Sequence, residues 1–221
     1  MQPISVKMHE LAKPLWEKSF HHPFITELAA GSLPMDNFRY YLKQDRYYLG
    51  NFADLHRKIA AQTTDPAIKQ FLIEGADGMN SGETEIRKEF FGELKIDENE
   101  IKTTPISPNA YNYVAHMYHE LNEGTTATAT TALLPCYWLY NEMGQQLVNV
   151  GSPVKIYQQF IETYDSPEFS DATNKMISIV DKLGAEASDE EQEAMIKSFL
   201  RSSYFELNFW QMAYEKETWG V

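Results

Sequence analysis

The sequence predicts an all-α, single-domain helical bundle, and three observations carry that prediction. Apolar residues recur at helical spacing along nearly the whole chain. No run of alternating apolar and polar residues is long enough to make a strand. Prolines and glycines fall where helices start and stop. The composition agrees: the 221 residues are 43% hydrophobic and 23% charged, which excludes a disordered, collagen-like or disulfide-scaffold chain.

Taken in order, Pro23 suits the first turn of a short helix that Gly31 closes, and Pro34 precedes a long helix over about 35–63. Asp65-Pro66 opens the next, which runs to about Phe91. Residues 92–108, acidic and holding two prolines, have no helical period and read as a surface connection where two domains could divide. Ser107-Pro108 starts a helix ending at Gly124, and another covers about 125–150, with Pro135 expected to kink it. Helices over about 153–164 and 167–183 follow, and Ser188 with Glu191 forms a capping-box pattern for a last helix to about Trp219. There is no internal repeat, and neither half carries its own set of long apolar helices. Residues 1–221 are therefore expected to share one core.

Charge narrows the function. Nineteen Lys and Arg against 32 Asp and Glu leave −13, a field that repels a phosphate backbone, so no nucleic-acid partner is expected. Cys136 is the one cysteine, which rules out an intramolecular disulfide, and the first residues lack the apolar run of a signal peptide. The most apolar stretch, about 132–140, is far short of the roughly 20 residues a membrane span needs. A soluble, cytoplasmic protein with no membrane segment is expected.

Polar residues interrupt the apolar stripes at three places. The 35–63 helix places Asp45 in a seam of Phe38, Tyr41, Tyr48, Phe52, Leu55 and Ile59. The 125–150 helix aligns Cys136 and Tyr140 one turn apart with Ala129, Leu133, Met143 and Leu147. The last helix carries Glu206 among Phe199, Ser203, Trp210 and Ala213. Each feature has a plain structural explanation. A lone cysteine on an apolar face is usually a small hydrophobe, and a buried carboxylate usually pairs with a cation, for which Arg39, Lys43, Arg46 and Arg201 are candidates. The coincidence of two acids, a thiol and several tyrosines pointing inward from three helices argues instead for a pocket.

Such a pocket suits definite chemistry. A cysteine becomes a nucleophile when a neighbour takes its proton or lowers its pKa, and a glutamate in an apolar site is held with a raised pKa, fit for proton transfer near neutrality. Tyrosines stack on flat ligands, and an aspartate accepts hydrogen bonds from an exocyclic amine. The implied ligand is small, flat and nitrogen-bearing. A di-iron bundle is excluded because none of the six histidines has a glutamate three residues before it. His116 and His119 stand at i, i+3 without an evident third metal ligand, and His21-His22 offers little as an axial haem ligand. No HExxH, GxSxG, P-loop or GxGxxG motif is present.

These residues resemble a known family. The pattern Trp16, His22-Pro23-Phe24, Leu28, Gly31-Ser32-Leu33, then Phe38, Tyr41, Gln44-Asp45 and Tyr47-Tyr48-Leu49 is similar to the TenA family of thiaminase II enzymes. So are Pro135-Cys136-Tyr137-Trp138-Leu139-Tyr140 and Phe205-Glu206-Leu207-Asn208-Phe209-Trp210, in the same order along essentially the whole chain. The resemblance implies a haem-oxygenase-like bundle without haem or other cofactor or metal, assembled as a homotetramer. It implies conversion of 4-amino-5-aminomethyl-2-methylpyrimidine to the hydroxymethylpyrimidine with release of ammonia, in thiamin salvage, and cleavage of thiamin itself. Cys136 matches the family's nucleophile and Glu206 its acid/base. Asp45 matches the carboxylate that holds the ring nitrogen and 4-amino edge, and Tyr48, Tyr113, Tyr140 and Tyr164 match pocket tyrosines. Tyr113 and Tyr164 enter through the resemblance alone. Arg46 departs from the family pattern but lies off the inward stripe. Two rivals stay open: a pyrimidine-binding or regulatory protein without catalysis, and a haem- or metal-dependent oxidase on the same bundle.

Overall fold

The computed structural model describes residues 2–220, with the side chains of residues 80–87 outside the description. The described residues form α1 (Ile4–Phe20), α2 (Pro23–Ala30), α3 (Met35–Gln62), α4 (Pro66–Glu93), α5 (Glu98–Thr103), α6 (Pro108–Glu123), α7 (Thr126–Leu147), α8 (Lys155–Tyr164), α9 (Pro167–Glu186) and α10 (Asp189–Glu215). None of them is in a strand. None of these helices is long and apolar enough to cross a membrane.

Local chemistry explains the boundaries. Asp65 accepts from the amides of Ala67 and Ile68 at 2.8 and 3.2 Å and caps α4, and Ser107 accepts from Ala110 at 3.1 Å to start α6. Gly31 ends α2 in the left-handed region at φ 76°, with Pro153 packed where a Cβ would stand. Ser188 caps α10 by accepting from Glu191 at 3.2 Å, which is one half of the expected box. The reciprocal box sits at Thr125 and Thr128, where each hydroxyl accepts from the other's amide. Helix α10 stops at Glu215 rather than Trp219, because Lys216 turns left-handed at φ 52°. Trp219 then leaves the helix and donates to the Ile106 carbonyl at 2.8 Å.

The stretch 92–108 is not a divider. It holds α5, whose Glu100 takes Arg39 at 2.7 Å and Lys43 at 3.0 Å, both from α3. The buried Gln44 amide donates to the Pro105 carbonyl at 2.9 Å and accepts from the Ser107 amide at 2.9 Å. These tertiary bonds, absent from any local pattern, tie the connection onto α3.

Helix α7 is the centre, packed by α3, α6, α8, α9 and α10. It runs unbroken through Pro135 and is buried all round, so its inward stripe is only one of several buried faces. Small hydroxyls let α10 approach it closely: Ser198 donates to the Thr128 carbonyl at 3.0 Å and Ser202 to the Ala132 carbonyl at 2.8 Å. Apolar side chains from α1 to α10 form one continuous core, the single domain the periodicity predicts.

Gly144 is a tight joint near that core. A Cβ there would stand 2.7 Å from the Tyr164 carbonyl carbon and 2.9 Å from the Asp165 amide nitrogen, and backbone has little room to yield. Gly144→Ala should therefore lower stability by about 1–3 kcal/mol, despite the helix-favouring methyl. A thermal midpoint equal to wild type would show instead that the end of α8 is free to shift.

Candidate active site

The stripe of α3 behaves as its spacing dictates: Phe38, Tyr41, Asp45, Tyr48, Phe52, Leu55 and Ile59 are all buried. Asp45 is only 4% exposed and Glu206, on α10, only 2%. The cations proposed as structural partners are engaged elsewhere. Arg39 and Lys43 hold Glu100, Arg46 holds Glu98 at 3.6 Å, and Arg201 lies 3.5 Å from Glu120. Arg46 is exposed, as its off-stripe position requires.

One pocket opens among these elements. Its wall takes Asp45, Tyr48, Leu49 and Phe52 from α3, Met79 from α4, Cys136, Tyr137 and Tyr140 from α7, Tyr164 from the end of α8 and Phe169 from the start of α9. The atom-free space between these side chains, its open mouth included, is about 430 Å³. Cys136 is partly exposed into it, whereas the other predicted residues are buried. The structure thus brings Asp45, Tyr48, Cys136, Tyr140 and Tyr164 to one cavity.

Glu206 and Tyr113 are not on its wall but behind it. The Tyr113 hydroxyl donates to Glu206 Oε1 at 2.7 Å, and the Tyr113 ring lies 4.9 Å from that of Tyr48, which is on the wall. Burial pushes the Glu206 carboxyl up to about 8; the Tyr113 hydrogen bond pulls the other way, and the charge of Asp45 adds to the rise. The hydroxyls of Tyr48 and Tyr113 are held well above their ordinary values, by burial first and then by the nearby Cys136 and Glu206. Thiol, phenols and carboxyl therefore feel one another electrostatically, and burial favours the protonated form of the Glu206 carboxyl.

Aromatic packing holds the rest. The Tyr140 hydroxyl sits 3.2 Å from that of Tyr41, and its ring lies 4.8 Å from Tyr164 and 5.1 Å from Trp210. Asn141 donates to the Tyr164 carbonyl at 3.1 Å, fixing where that ring stands.

Sequence reasoning missed Leu49, Met79, Tyr137 and Phe169. Tyr137 adjoins Cys136 but lies off the stripe, and only a helix buried all round brings both inward. Met79 and Phe169 had no signal, since their place depends on how α4 and α9 dock. Phe52 was visible in the seam, though not as a wall. The histidines have structural work. His22 caps α2 and lies 2.8 Å from Gln211, and His116 is half-buried 3.3 Å from the Ser198 carbonyl, its pKa lowered to about 4 chiefly by desolvation. Among the described residues no three His, Cys, Asp or Glu side chains stand together as a metal site.

Comparison with known proteins agrees with this architecture. Residues 9–216 match the model of the TENA/THI-4/PQQC family. The chain is 39% identical to the aminopyrimidine aminohydrolase of Bacillus subtilis over 98% of its own length and 92% of the relative's. It is 26% identical to the enzyme of the same name from Helicobacter pylori, over 96% and 99%. The structure of a TenA homologue from P. horikoshii superposes with a TM-score of 0.89 at 27% identity, covering 97% of this chain and 99% of that one. A protein with a heme oxygenase-like fold from Shewanella denitrificans shares the fold at 11% identity and a TM-score of 0.75, over 96% and 92%. With the family model matched over residues 9–216 and a relative 39% identical over nearly the whole length, the chain belongs to the TENA/THI-4/PQQC family.

Proposed function

We propose that this chain is an aminopyrimidine aminohydrolase of thiamin salvage. It would convert 4-amino-5-aminomethyl-2-methylpyrimidine and water to the hydroxymethylpyrimidine and ammonia, and cleave thiamin to the same pyrimidine and the thiazole alcohol. The observation that carries the reading is the convergence of Cys136, Asp45 and the tyrosines on one cavity, backed by a glutamic acid whose pKa lies near 8. The relatives' shared name supports the substrate class.

In this reading the ring lies between Tyr48, Phe52, Tyr140 and Tyr164, with Asp45 accepting from its 4-amino edge. The Cys136 sulfur adds to a ring carbon, and the electron pair expels the methylene-bound amine, which leaves as ammonia with a proton from Glu206. Water then adds at the methylene carbon, Glu206 recovers a proton from it, and the ring ejects the sulfur as the same thiolate that added. Atoms balance, and no redox partner is needed. The same reading takes the protein as a cytoplasmic homotetramer, supported by family membership.

The experiment is ammonia release and hydroxymethylpyrimidine formation from the aminomethylpyrimidine, with thiamin as second substrate. Turnover is expected on the aminomethylpyrimidine, and the ratio of kcat/KM values ranks the two. Tight binding of the pyrimidine without turnover would turn the assignment toward a sensing protein.

A further inference from the structure

Helix α7 lacks one backbone hydrogen bond just before Cys136. Pro135 has no amide hydrogen, so the ladder bond to the Thr131 carbonyl is missing one residue before the thiol. Side chains from other helices hold this turn instead. Ser202 of α10 donates to the Ala132 carbonyl at 2.8 Å, and the Thr173 hydroxyl of α9, shared with the Phe169 carbonyl at 2.9 Å, lies 3.3 Å from the Tyr137 carbonyl. The third tether is Tyr137 itself, whose hydroxyl lies 2.8 Å from Nε2 of His56 on α3.

His56 is completely buried and has no place in the proposed chemistry. Its Nδ1 lies 2.8 Å from the Phe52 carbonyl, which can only accept, so Nδ1 carries the hydrogen and Nε2 presents a lone pair to the Tyr137 hydroxyl. Burial holds its pKa down at about 4, so the ring stays neutral near pH 7 and this tautomer persists. The chain of contacts thus runs from Phe52, on the α3 wall, through His56 to Tyr137, on the α7 wall beside Cys136. Gly75 of α4 closes over it: a Cβ there would stand 3.3 Å from the Tyr137 hydroxyl and 3.4 Å from His56 Cδ2.

We propose, on the reading of Cys136 as nucleophile, that His56 and Tyr137 are a positioning pair: their hydrogen bond locks the proline-weakened turn of α7 to α3 and so sets the thiol against the ring held by Asp45 and the α3 aromatics. Misplacing reacting atoms by about 1 Å costs on the order of 10²-fold in rate, so a pair that takes no part in the bond changes can still govern kcat.

The test uses Tyr137→Phe, which removes the hydroxyl, and Gly75→Ala, which wedges a methyl against the pair while favouring the helix. Both are read by kcat, KM, thermal midpoint and the rate of Cys136 alkylation by iodoacetamide. The expected result is about a tenfold fall in kcat with KM within about twofold, and at least about a threefold change in alkylation rate. In Gly75→Ala this should come without a fall in thermal midpoint, which a merely structural role would not produce. Wild-type kcat and wild-type alkylation in both variants overturn the proposal. Alkylation needs no substrate, so it judges the pair even if the native protein releases no ammonia, an outcome that overturns the functional reading alone.

Discussion

Cys136→Ser is expected to abolish turnover, with kcat down at least ~10³-fold and the thermal midpoint close to wild type. The swap is nearly isosteric at a partly exposed position, so little packing is lost. A hydroxyl cannot replace the thiol, because at neutral pH its ionised fraction is negligible, and adding to an aromatic ring demands a strong nucleophile. The measurement is ammonia release from the aminomethylpyrimidine by both proteins, with binding of the pyrimidine followed separately. Binding should survive in the variant, and iodoacetamide should inactivate only the wild type, with protection by product. A serine variant turning over at the native rate would remove covalent catalysis from the mechanism and leave Cys136 as a packing residue.

Glu206→Gln is expected to lower kcat by about 10²–10⁴-fold while retaining pyrimidine binding, since the amide keeps the shape but cannot exchange a proton. If binding is lost with kcat unchanged, Glu206 recognises the ring and the acid lies elsewhere. The same variant carries a stability prediction. Glu206 has a pKa of about 8 in the folded protein against 4.5 as its ordinary value. Between those values the native state keeps a proton that the unfolded chain has released, so stability falls as pH rises through that window and levels off above it. The loss is on the order of a few kcal/mol, and the glutamine variant lacks it. Urea unfolding at pH 5 and pH 8.5 should show wild type losing more stability than Glu206→Gln over that interval. Equal losses would mean that the carboxyl is ionised in the native state at neutral pH.

Much of this was legible in one dimension. Helical period and the positions of Pro23, Pro34, Pro66, Pro108 and Pro167 mark where helices start, since each sits in the first turn or just before it. Asp45 and Glu206 stood out because a carboxylate in an apolar stripe is costly, and each is buried. Tyr113 and Tyr164 had no such mark. A tyrosine in a core is ordinary, and only the resemblance separated them from the other tyrosines. The sequence pattern does not delimit the N-terminal helix α1 and reads α5 as part of a surface connection, because short or proline-bearing helices are stabilised by what they pack on rather than by their own period.

What the sequence determined by itself was therefore the class of fold and the residues too polar for their stripes, because period and burial cost act within a few turns of one helix. Only the tertiary structure decided which of those residues meet. The cavity joins side chains from α3, α4, α7, α8 and α9, and Glu206 of α10 stands behind it, bonded to Tyr113, whose ring packs on that of Tyr48 in the wall. It also decided that His56 is a neutral acceptor beneath Tyr137 and that a methyl at Gly75 would press on that pair, since both follow from the approach of α3, α4 and α7. Contacts between elements far apart in the chain carry no local signature, and the field that lifts Glu206 to a useful pKa exists only once those elements have packed and excluded water.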